Sequence, residues 1–111
     1  MRNRIVTDDD VDRALAFLRD SAIAVGAARE DLVKAGNMVK HVEALLFLAS
    51  DQKNVEAKKA DVRCQANWLT ATSEEARAAG EFEKLRALRE AASAKIEAWR
   101  SEQANYRGMR V

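Results

Sequence analysis

Residues 32–49 read LVKAGNMVKHVEALLFLA. Leu32, Val39, Val42, Leu46 and Ala49 fall at steps of seven, three, four and three. That spacing places them on one stripe of an α-helix, since 3.6 residues complete a turn. Leu45, Phe47 and Leu48 widen the stripe, so this section is expected to be buried nearly all round. A strand would need alternation with period two, which the segment lacks. The reading extends outward as one long helical pattern over 27–69. Its stripe fades at Asp51-Gln52-Lys53-Asn54, a kink or a solvated length of helix, and resumes through Val55, Ala60, Val62 and Trp68.

Composition agrees with an all-α fold. The 111 residues contain no proline, four glycines and 22 alanines, and a third of them are charged. Alanine with Glu, Lys, Arg and Leu is the set of strong helix formers. The chain is poor in the residues that favour strands and tight turns, so all-β and βαβ folds are excluded. A glycine-rich phosphate loop is excluded with them.

Two further helices complete the expected architecture. The first spans 8–25. Thr7 is its N-cap, and Asp8, Asp9 and Asp10 suit the positive end of its dipole. Asp10 stands where a capping box places its acidic residue. Val11, Leu15, Leu18, Ala22 and Val25 form the apolar stripe. Gly26 is its end, or else lies inside a continuing helix. The connection Thr70-Ala71-Thr72-Ser73 is expected to turn the chain, with Thr72 or Ser73 as the next N-cap and Thr72 with Glu75 as a capping box. The third helix then spans 74–107, with Phe82, Leu85, Ala92, Ile96, Trp99 and Tyr106 on one stripe. Gly80 is expected to fray its start. Gly108 ends it, and 108–111 is a tail.

The result is a single helical domain over 1–111: a long antiparallel, coiled-coil-like hairpin with a short N-terminal helix. A thin hairpin buries little of its surface. The core positions Leu32, Val39, Val42, Leu46, Phe82, Leu85, Ile96 and Trp99 are therefore expected to meet other copies in a homo-oligomer.

Catalytic and metal chemistry find little support. His41 is the one histidine, and no ligand lies at a metal-binding spacing on its helical face. It reads as a surface or boundary residue. Cys64 is the one cysteine, so no internal disulfide forms, which fits a reducing compartment. It reads as a buried or half-buried structural thiol. The acidic run from Asp8 to Asp12 lacks the glycine and distal glutamate of a calcium loop. No enzyme and no cofactor is expected. The longest apolar run, 44–49, is too short to span a bilayer, and no signal peptide is evident. The expected location is the cytoplasm.

Nucleic-acid binding is the remaining chemistry. Nineteen Lys and Arg against 18 Asp and Glu leave a net charge of +1, so binding must come from local clusters or from many copies in one assembly. One cluster is Lys53, Lys58, Lys59 and Arg63, in which Lys59 and Arg63 share a helical face. The other is Lys95, Arg100, Arg107 and Arg110, near Trp99 and Tyr106. Cations contact phosphates and aromatics stack on bases. Trp99 and Tyr106, seven apart, also suit one core stripe, with Glu97 and Glu102 interleaved on a solvated face. Trp99 is read as core, and the cations as the contacts.

The second half also resembles a known family. The carrying residues are EAKK at Glu56–Lys59, LRALREAA at Leu85–Ala92 and IEAWRSEQANYR at Ile96–Arg107. Over 28–107 the chain resembles small helical proteins of tailed bacteriophages that are similar to the UvsY recombination mediator. The resemblance implies an oligomer that binds single-stranded DNA and helps load a recombinase while single-strand-binding protein is displaced. It also implies a phage-infected or lysogenic bacterial cell as the setting. The family supplies no catalytic residue. The competing expectation is a phage helical interaction protein without DNA affinity, either an anti-CRISPR-type inhibitor or an assembly or scaffolding factor. A toxin–antitoxin or regulator component ranks lower, for want of a helix-turn-helix signature.

Overall fold

The computed structural model describes residues 5–109. It is all-helical, with 89% helix and no strand among these residues. Four helices follow one another: α1 (Asp8–Asp20), α2 (Ala22–Ala49), α3 (Val55–Arg63) and α4 (Ala66–Gly108). Among the described residues no helix is long and apolar enough to cross a membrane. The described residues form two compact units. One comprises residues up to 25 and from 84 onward; the other comprises 26–83.

In the first unit α1 runs antiparallel to the end of α4. The indole N–H of Trp99 donates to Asp8 Oδ1 at 3.0 Å, and the Ile5 N–H to Glu102 Oε1 at 3.1 Å. Arg89 Nη1 donates to Leu18 O and Ser21 Oγ, each at 2.7 Å. The start of α1 is the expected capping box. Thr7 Oγ1 accepts from the Asp10 N–H at 3.1 Å, and Asp10 Oδ2 accepts from the Thr7 N–H at 3.0 Å. Its end comes five residues before the expected 25. Ser21 is its C-cap, and the Ser21 hydroxyl donates to Phe17 O at 2.6 Å beside the backbone N–H bond to the same carbonyl. Val6, Val11, Ala14, Ser21 and Ala92 are buried. Ile96 and Trp99 are half-buried.

In the second unit α2 and the start of α4 make the antiparallel hairpin. Three contacts fix its register: Arg29 over the Phe82 ring at 5.5 Å, Gly36 beside Glu75, and Trp68 Nε1 donating to Glu43 Oε1 at 3.0 Å. Each step of seven along α2 matches seven in reverse along α4. A Cβ on Gly36 would stand 3.0 Å from Glu75 Oε2, the mobile tip of a side chain that could swing aside. The buried residues are Val39, Val62, Ala71 and Ala78, while Leu32, Val42, Leu46 and Phe82 are half-buried; Leu85, also half-buried, belongs to the first unit. Among the described residues, none larger than valine is buried in either unit.

Three further differences from the sequence reading follow along the chain. The expected helix over 27–69 is broken. The stretch 50–54 leaves the helix, and Asn54 restarts it as the α3 N-cap, its Oδ1 accepting from the Ala57 N–H at 2.8 Å. A second break falls at Cys64 and Gln65, whose N–H groups turn back to Asp61 O and Val62 O. The expected turn at 70–73 does not exist, and the helix expected over 74–107 already begins at Ala66. The Thr72 hydroxyl donates backward to Trp68 O at 2.9 Å and Leu69 O at 3.1 Å instead of capping a new helix. A threonine satisfied in this way sits inside a helix without ending it. Gly26 and Gly80 are interior helical residues, and Gly108 is the last residue of α4. Of the expected tail, residues 110–111 lie outside the described residues.

Within the single chain 32–49 is not enclosed: Leu45 is 53% exposed and Leu48 80% exposed. Cys64, expected to be at least half-buried, is exposed as the C-cap of α3, in the break between α3 and α4. His41 is exposed as well.

Candidate functional site

The break at 50–54 lets α3 fold back onto the end of α2. Ser50 is the fastener. Its hydroxyl donates to Asp61 Oδ2 at 2.6 Å, and its carbonyl accepts from Lys58 Nζ at 3.1 Å. The same ammonium stands 5.4 Å from the centre of the Phe47 ring. A cation over an aromatic face gains roughly 0.5–1 kcal/mol at such partly exposed sites. Asp61 also accepts from Gln65 Nε2 at 3.1 Å, which braces the bend between α3 and α4.

Three helices thereby enclose an open hollow of about 410 Å³. Helix α2 contributes Lys40, Glu43, Ala44 and Phe47; α3 contributes Lys59, Val62 and Arg63; α4 contributes Trp68. The α2 residues fall on one face because their steps are three, one and three. Three cations face one carboxylate, and that carboxylate is engaged by the Trp68 indole N–H. The hydrogen bond fixes the ring plane of a half-buried tryptophan. Lys59 reaches Glu56 only at 3.7 Å, with both side chains largely exposed, so this pair contributes little. The hollow therefore combines net positive charge with two aromatic rings. Phosphate oxygens suit the cations, and a planar base suits the rings.

The sequence-derived cations divide between the two units. Lys59 and Arg63 line the hollow. Lys58 belongs to the same cluster but is half-buried and turned onto Ser50 and Phe47, where it serves the fold. Lys53 is exposed in the loop before α3. Lys95, Arg100 and Arg107 are exposed on α4 in the other unit, where Arg100 Nη1 pairs with Glu97 Oε1 at 2.9 Å. Arg110 lies outside the described residues. Trp99 is bound through its indole to Asp8, so its ring helps join α1 to α4.

Sequence reading missed Lys40, Phe47 and Trp68 as site members. Phe47 and Trp68 had been placed on apolar stripes, and Lys40 stood apart from both basic clusters. A usable signal was present: Lys40, Glu43 and Phe47 recur at steps of three and four. Their convergence with Arg63 and Trp68 depends on the two breaks flanking α3, which periodicity alone does not locate.

Among the described residues, no group of three or more His, Cys, Asp and Glu is arranged to hold a metal ion. The chain matches no protein-family model, no curated protein and no solved structure.

Proposed function

We propose that the protein binds single-stranded nucleic acid through the hollow between α2, α3 and α4, and acts as a non-enzymatic mediator of DNA recombination. The carrying observation is the convergence of Lys40, Lys59 and Arg63 with Phe47 and Trp68 in one open hollow. Cations along a backbone and aromatics under bases are the two elements of sequence-independent single-strand binding. The mediator role, the recombinase or single-strand-binding protein as partner, and the phage setting rest on the sequence resemblance over 28–107. The net charge of +1 suits a protein whose contact with DNA is local and is strengthened by repetition in an assembly.

The test is fluorescence anisotropy with a labelled oligothymidylate across a salt series. Each phosphate contact on a single strand contributes a slope near −0.7, so three cations give about −2. Arg63→Ala is expected to flatten the slope by about 0.7. Binding that is absent at low salt, or indifferent to salt, contradicts the reading.

A second reading is favoured by a different observation. Twelve large apolar side chains are markedly exposed, Ile23 and Leu48 to 88% and 80%. Such surface marks association with protein. In this reading the chain is a helical interaction protein, an inhibitor or an assembly factor, and the oligothymidylate does not bind.

A further inference from the structure

The outer side of α2 carries a seam that no described residue of the chain covers. Met38, His41, Leu45 and Leu48 recur at steps of three, four and three, which is the a/d spacing of a coiled coil. All four are exposed, Met38 to 54% and Leu48 to 80%. The positions flanking the seam are Asn37, Val42, Ala44 and Ala49, all without charge. From Gly36 to Ala49 the two formal charges are Lys40 and Glu43, and both line the hollow on another side of the helix. The apolar run ends one turn earlier at Lys34, which pairs with Glu30 at 2.9 Å.

We infer that this seam on α2 is an interface with a second copy of the same chain, packed antiparallel. The charge pattern selects the occupant. A partner helix that relies on e/g salt bridges finds no charge here to pair with, whereas a second copy presents an equally uncharged, small-flanked seam. The charge pattern also selects the direction. A parallel copy stacks His41 on His41 and Lys34 on Lys34. The antiparallel copy sets His41 against Leu45 and Met38 against Leu48, and carries each Lys34 past the end of its partner's α2. A two-fold axis between the helices makes the contact self-complementary and closed. The interface does not depend on the DNA reading: the seam uses none of the cations or rings of the hollow.

Sedimentation equilibrium of the full chain at micromolar concentration tests it. The wild type is expected at twice the chain mass of 12.3 kDa. Leu45→Glu and Leu48→Glu, at exposed helical positions, are each expected to halve that mass while helical circular dichroism is unchanged. Direction is read by cross-linking in a Cys64→Ser background. Met38→Cys mixed with Leu48→Cys is expected to form the disulfide dimer, and Leu48→Cys alone is not. A monomeric wild type, or glutamate variants of undiminished mass, overturns the interface. Efficient cross-linking of Leu48→Cys to itself overturns the antiparallel arrangement.

Discussion

Asp10 ties the first turn of α1 with both of its carboxylate oxygens. Its carboxyl is lowered from 3.8 to about 2, first by the Thr7 backbone N–H, then by the Arg13 guanidinium and the Thr7 hydroxyl. Folding thus favours the ionised form. The cap's contribution is complete above the ordinary carboxylate range and is lost as pH falls through about 2. Carbon NMR of the Asp10 carboxyl is expected to titrate near that value. Titration at the ordinary position contradicts the cap geometry. Trp99 is the second residue whose role the geometry defines. Trp99→Ala removes a half-buried ring and is expected to cost about 3 kcal/mol of stability, the low end for aromatics. Trp99→Phe removes the bond to Asp8 and is expected to cost about 1 kcal/mol. Urea denaturation reads both. A Trp99→Ala variant as stable as wild type assigns the ring to another task.

At the scale of elements, Thr72 and Asn54 exchange the roles that sequence alone suggests. The Thr-Ala-Thr-Ser run has every local mark of a helix start, yet Thr72 donates to the turn behind it and the helix continues. Asn54, within a fading stripe, is the true cap. Asn54→Ala is therefore expected to lower stability by about 1 kcal/mol. Thr72→Ala is expected to be neutral or to stabilise slightly, by up to about 0.7 kcal/mol, since alanine is the better helix former. A Thr72→Ala loss as large as that for Asn54→Ala contradicts a continuous α4. Helix type was legible because it depends on composition and on period, both local. The α1 capping box was legible because all its partners lie within three residues. The choice between breaks at 50–54 and at 70–73 was not legible, because tertiary contacts decide it. Ser50 gains Asp61 and Lys58 only once α3 folds back. The hollow inherits that dependence: Lys59 and Arg63 could be read as a pair one turn apart, whereas Phe47 and Trp68 become its rings only after the fold-back.

The whole molecule couples a small buried core with generous exposed apolar surface. Among the described residues the core consists of valines, alanines and one serine, while leucines and methionines stay outside. Exposed apolar surface of this extent is the observation behind the α2 interface inferred above. Its near-neutral charge gives no blanket attraction to DNA, so the hollow must supply the contact if the proposed function holds. The most direct measurement follows from the placement of the two tryptophans. In a Trp99→Phe background Trp68 is the one indole, and its ring lines the hollow. Titration with oligothymidylate at low salt is expected to quench Trp68 fluorescence, and Arg63→Glu is expected to shift the midpoint to higher DNA concentration. Unchanged Trp68 emission at DNA concentrations that saturate anisotropy contradicts stacking in the hollow. Unchanged emission with no anisotropy signal contradicts single-strand binding by this protein.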